Sequence, residues 1–125
     1  MPLEHEELTG PIIGAAIDVH KELGPGFAES VYENGLVLEL RQRGIPFQRQ
    51  LAIPVLYRGV EVGLHRLDLF VANAIVVELK ATRDLADVHF VVVRSYLRAA
   101  ERDHGRILNF AKEKLEVKRV RLRGG

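Results

Sequence analysis

Asp68, Glu78 and Lys80 are the residues of this chain whose types and spacing best suit a chemical task, the holding of a hard divalent cation beside a phosphodiester. Alternation along a strand places Glu78 and Lys80 on one face of the apolar run 75–80 and Leu79 on the other. Asp68 lies in the preceding apolar run, between Leu67 and Leu69, where a charge is costly without a partner. If the two runs pair, two acids and an amine converge. Asp68 and Glu78 would then bind Mg²⁺ or Mn²⁺, with the main-chain carbonyl of Leu79 as a further ligand. The ion would polarise a phosphate oxygen and acidify a bound water, and Lys80 would orient that water or neutralise developing charge. The same spacing also suits a buried Asp68–Lys80 or Glu78–Lys80 ion pair that binds nothing.

Positioning these residues requires a sheet, and the pattern supplies one. Thr9 reads as a helix N-cap before Pro11, with Ile12, Ile13, Ala16 and Ile17 at helical spacing over 11–23. Gly24-Pro25-Gly26 stops that helix. A second is expected over 28–43, with Val31, Leu36, Leu38 and Leu40 apolar and Gly44 closing it. The period then changes toward two. Strands over 45–57 and 60–71 flank an Arg58-Gly59 turn, and Ala72-Asn73-Ala74 leads into the strand 75–80, apolar on both faces and hence central. Asp87 reads as the cap of a helix over 88–102, although Phe90-Val91-Val92-Val93 is β-branched enough to favour a strand by propensity. Strands over 106–110 and 117–122 complete the order α-α-β-β-β-α-β-β. The expectation is one α/β (α+β) domain over 1–125, a mixed sheet of about five strands flanked by helices, with 1–9 and 124–125 as loose ends.

Composition is that of an ordinary globular domain. The 125 residues are 47% hydrophobic and 28% charged, and no cysteine is present, which excludes disulfides, thiol catalysis and thiolate zinc sites. The acidic start lacks a secretory pattern and no apolar run approaches the roughly 18 residues of a membrane span, so a soluble, cytoplasmic protein without membrane contact is expected. Net charge is +1, but Lys112, Lys114, Lys118, Arg119, Arg121 and Arg123 gather late, opposed by Glu113 and Glu116. That run suits either a phosphate backbone or an edge strand blunted with charge. Five Phe, three Tyr and no Trp offer little stacking surface for single strands, which makes duplex DNA the expected partner.

The stretch Gly26-Phe27-Ala28-Glu29-Ser30-Val31-Tyr32 reproduces a G-x-x-E-x-x-Y signature. The segments 17–26, 57–60, Arg66-Leu67-Asp68-Leu69, Val77-Glu78-Leu79-Lys80-Ala81 and Ile107-Leu108-Asn109-Phe110 follow in an order that resembles the bacterial and archaeal GxxExxY proteins. That family is grouped with the PD-(D/E)XK nuclease-like superfamily, and the resemblance implies a restriction-endonuclease-like core. It also implies that Asp68 and Glu78 are the superfamily's acids, Lys80 its lysine and Glu29 an added metal ligand, with Tyr32 and His20 in support. The chain departs from the pattern after Lys80. Relatives tend to read His-Glu-Ala-Gln where this sequence has His89-Phe90-Val91-Val92, so Val92 stands in the place of a polar residue.

Three readings follow: a Mg²⁺-dependent nuclease, a catalytically silent nucleic-acid-binding module, and a structural protein with a buried salt-bridge network. Self-association would present two sites to a duplex. His20 also reads as a hydrogen-bonded core histidine, and Glu33, one turn beyond Glu29 on the same face, as a second acid of the site or, more commonly, a solvated one. His65, Arg66 and Arg83 flank the acids as surface charge or phosphate contacts.

Overall fold

Alternate residues of one strand enter two separate cores, and the other elements are arranged around that division. The computed structural model describes residues 6–123. In it β3 (Ile75–Lys80) sends Ile75, Val77 and Leu79 into a core shared with α1 (Glu6–Leu23) and α2 (Glu29–Gln42). Val76 faces the other way, into a core with Val93 and Leu97 of α3 (Asp87–Ala100). The sheet has five strands in the order β1 (Phe47–Tyr57), β2 (Val60–Val71), β3, β4 (His104–Asn109), β5 (Glu116–Arg121). β3 and β4 run parallel and the other neighbours antiparallel, so α3 is the crossover that a parallel pair requires. The result is a mixed sheet with helices on both faces and β3 at its centre.

Several elements differ from their sequence pattern for physical reasons. α1 is already helical at Glu6, so Thr9 and Pro11 lie inside it and 6–9 is no loose end. Pro11 lacks one donor near the helix start, and the buried stripe Ile12, Ala15, Ala16, Val19 and His20 holds the helix regardless. Residues 1–5 and 124–125, also expected to be loose, lie outside the described residues. α2 buries Tyr32, Glu33, Leu36, Val37 and Leu40, while Val31 and Leu38 are exposed. In α3 the N-cap is Ala86 rather than Asp87, and the Nδ1 of His89 accepts the Ala86 N–H at 2.9 Å. Its β-branched run is helical because burying Val93 and Leu97 outweighs weak intrinsic propensity.

The hairpin turn at Arg58 and Gly59 has φ of 50° and 78°, the left-handed pair that matches strand twist. Gln50, also left-handed with φ 50°, sits mid-strand. Register pairs Arg49 with Leu69 and Leu51 with Leu67, which sets Gln50 across from Asp68. Phe47, Leu69 and Val71 belong to the α1/α2 core, but Leu51, Ile53 and Leu67 belong to the α3 core. Both strands therefore turn over at Gln50 and Asp68. A left-handed non-glycine residue costs roughly 1–2 kcal/mol, so the turnover is held by its surroundings.

The far end of β3 is fastened by Asn109, which is 0% exposed. Its Oδ1 accepts Thr82 N–H at 3.1 Å and Ala111 N–H at 3.3 Å, and its Nδ2 donates to Thr82 O at 2.8 Å and Glu116 Oε1 at 3.0 Å. Asn109→Leu keeps the volume and removes all of these bonds. It is expected to lower stability by about 3 kcal/mol or more in urea unfolding, because the loop after Lys80 would keep buried polar groups without partners. A loss under about 1 kcal/mol would show that the loop is held by something else.

Candidate functional site

The β2–β3 ladder runs from Val71–Ile75 to Leu69–Val77 and then stops. Asp68 takes over at that point: its Oδ2 accepts the Leu79 N–H at 2.9 Å, replacing the acceptor a longer ladder would have given. Its Oδ1 receives a weaker bond of 3.4 Å from Gln50 Nε2. Gln50 is in turn fixed by Glu33 Oε1 at 2.8 Å, and its carbonyl accepts Arg66 Nη1 at 3.0 Å. Glu33 is 8% exposed and also receives Arg49 Nε and Nη2 at 3.0 and 2.8 Å. Glu33 is thus a buried, paired brace between α2 and the strand turnover, not a solvated acid.

Glu78 lies on the α3 side of β3 and is 6% exposed. Its Oε1 is buried without a hydrogen-bond partner, and its Oε2 stands 3.7 Å from Lys80 Nζ, beyond hydrogen-bond length. Burial, chiefly, and then the Asp68 charge raise the Glu78 carboxyl to a pKa of about 8; Lys80 opposes the shift, and a hydrogen bond with Asp68 and the Glu29 charge add to it. Two acids and an amine do converge, as the strand spacing requires, with Asp68 close enough for its charge to act on Glu78.

Glu29 is exposed in the first turn of α2, near enough for its charge to act on Glu78. Among the described residues no three His, Cys, Asp or Glu side chains form a ligand-sized group, so Glu29 is not joined with Asp68 and Glu78 in one cluster. Tyr32 is buried against Phe110, with ring centroids 4.5 Å apart, and its hydroxyl donates to Gly24 O while accepting Phe27 N–H. His20 is buried and its Nε2 meets Lys112 O at 2.7 Å. Both pin loops. Arg83 is exposed and pairs with Asp84, and His65 packs edge-on against Tyr96 at 4.7 Å.

Tyr96 is the neighbour that sequence reasoning missed. It packs against the α3 core, and burial first, then the Glu78 and Asp68 charges, raise its hydroxyl above the ordinary value. Val93 and Leu97 fix which side of α3 meets the sheet, so counting helical spacing from them was the available signal.

The donor set fits a hard cation. Mg²⁺ keeps several waters and is often held by one or two carboxylates, and Glu78 Oε1 is an unsatisfied oxygen beside a second acid. A family model for the PD-(D/E)XK nuclease superfamily matches residues 6–120. Neither the curated proteins nor the solved structures include a match.

Without metal, Glu78 binds its proton more tightly folded than unfolded, so stability falls as pH rises from the ordinary 4.5 to about 8 and is flat above. Glu78→Gln mimics the protonated acid. Its melting temperature is expected to exceed that of the parent at about pH 9 and to match it at about pH 5, in chelated buffer. An equal shift at both would contradict the buried-acid account.

Proposed function

The chain belongs to the PD-(D/E)XK nuclease superfamily, and from that premise we propose that it hydrolyses phosphodiester bonds of nucleic acid using a divalent cation held by Asp68 and Glu78. The observation that carries this reading is Glu78 Oε1, a buried carboxylate oxygen left without a partner beside a second acid. A purely structural salt-bridge network is a poorer account, because Lys80 lies 3.7 Å from Glu78 and leaves that oxygen unpaired.

When bound, Mg²⁺ or Mn²⁺ supplies Lewis-acid polarisation of a phosphate oxygen and a water of lowered pKa. The protein's own groups do the rest. Asp68, locked by the Leu79 N–H, gives the centre a fixed anionic edge. Lys80, whose side chain is 25% exposed, faces solvent beside the acids and orients the attacking water or neutralises charge on the phosphate. Glu29 contributes an outer carboxylate from the start of α2, and Tyr96 a hydroxyl from α3. Duplex DNA is the proposed substrate, met through backbone phosphates, with a second copy of the chain presenting a second site.

A second reading, binding without cleavage, draws on Val92, an apolar and 36% exposed side chain one helical turn before Tyr96. Supercoiled and linear DNA incubated with Mg²⁺ or Mn²⁺ separates the two. Cleavage by the parent is expected, with loss in Asp68→Asn and Glu78→Gln and a drop of about a hundredfold or more in Lys80→Ala. Salt-sensitive binding with no cleavage would establish the second reading, and neither binding nor cleavage would contradict both.

A further inference from the structure

Arg106 is a buried cation that the acid centre does not use. It is 8% exposed, and its guanidinium donates to the Gly105 carbonyl at 2.9 Å. Among the described residues no carboxylate pairs with it. Burial first, then the charges of Arg119 and Arg121, disfavour its protonated form. The residue is buried as a whole, yet none of its nitrogens is among the described side-chain atoms buried without a partner, so the guanidinium keeps a route to solvent while gaining no carboxylate among the described residues.

Its neighbours repeat the deficit. Register places Arg119 directly across from Arg106, and Arg121 two residues along β5. Leu108 and Val117 pack on the α1/α2 core, so alternation puts Arg106, Arg119 and Arg121 on that same face. Arg121 gives Nη2 to Asp103 at 3.1 Å, but its Nε is buried with no partner. Asp103 also accepts the Arg123 N–H at 2.8 Å and lies 3.8 Å from Arg123 Nε. Among the described residues one carboxylate is therefore divided between Arg121 and Arg123, and none answers Arg106. Arg119 is exposed, and Arg121 lines a cleft of about 600 Å³ whose other charged residues are Arg98, Glu101, Arg102, Asp103 and Arg123, so these two arginines are open to solvent.

We infer that Arg106, Arg119 and Arg121 form a binding site for a small tetrahedral oxyanion of phosphate or sulfate chemistry, on the sheet face opposite Glu78 and Lys80. Planar guanidinium forks match such oxygens in pairs, which a halide does not offer. The depth of Arg106 suits an ion better than a polymer strand. The site is separate from the acid centre and needs no metal.

Calorimetric titration of the whole chain with sodium phosphate, in EDTA and at ionic strength held with NaCl, tests it. A saturable heat and a rise in melting temperature that chloride does not give are expected. Arg106→Leu should weaken phosphate about tenfold or more, and Arg119→Ala, at an exposed position, several-fold. Heat no greater than that of matched chloride, or unchanged phosphate affinity in either folded variant, overturns the site. EDTA makes the outcome independent of whether Asp68 and Glu78 bind a metal.

Discussion

A carboxylate oxygen buried without a donor at the end of a central strand is a standing electrostatic problem, and much of this molecule is arranged around Glu78. Its Oε1 has no donor, its Oε2 is too far from Lys80 for a hydrogen bond, and Asp68 adds a like charge. The available answers are a proton or a cation. Burial and the neighbouring acid favour the proton when no cation is present, which is why the group titrates near 8 rather than in the usual carboxylate range. A divalent ion meets the same demand with the opposite consequence, since it requires both acids ionised.

Holding two acids together in this way needs rigid support from both sides of the sheet. β1 and β2 turn over at Gln50 and Asp68, and the strain of a left-handed Gln50 is borne by Glu33, Arg49 and Arg66. That brace ties α2 to the first acid. The second acid is set by β3, whose parallel partner β4 ends in Asn109 and locks the loop beyond Lys80. The geometry of the site is thus coupled to packing of the α1/α2 layer, although Glu78 itself faces α3.

Much of this was legible in the residues because turn chemistry and hydrophobic period agree. Arg58-Gly59 and Ala72-Asn73-Ala74 bound β2 and β3 at the residues expected, and the two-faced apolar run of β3 marks it as central. Asp68, Glu78 and Lys80 converge as strand spacing implies. Other features depend on packing that no local pattern encodes. The turnover at Gln50 breaks the period of two without a glycine to announce it, and Glu33 is buried because Arg49 reaches it from another element. α1 extends past its apparent cap because a buried stripe outweighs Pro11. Tyr32 and His20 are committed to loop carbonyls, which spacing alone could not separate from a place near the acids.

The central claim is that Asp68 and Glu78 are a cation site whose resting occupant at neutral pH is a proton. Calorimetry of Mn²⁺ binding in buffers of different ionisation enthalpy counts the protons released. The account predicts release of about one proton per metal near pH 7, falling toward none at about pH 9, as a carboxyl titrating near 8 requires. Mn²⁺ binding with no proton release near pH 7, or no binding at all, would contradict it.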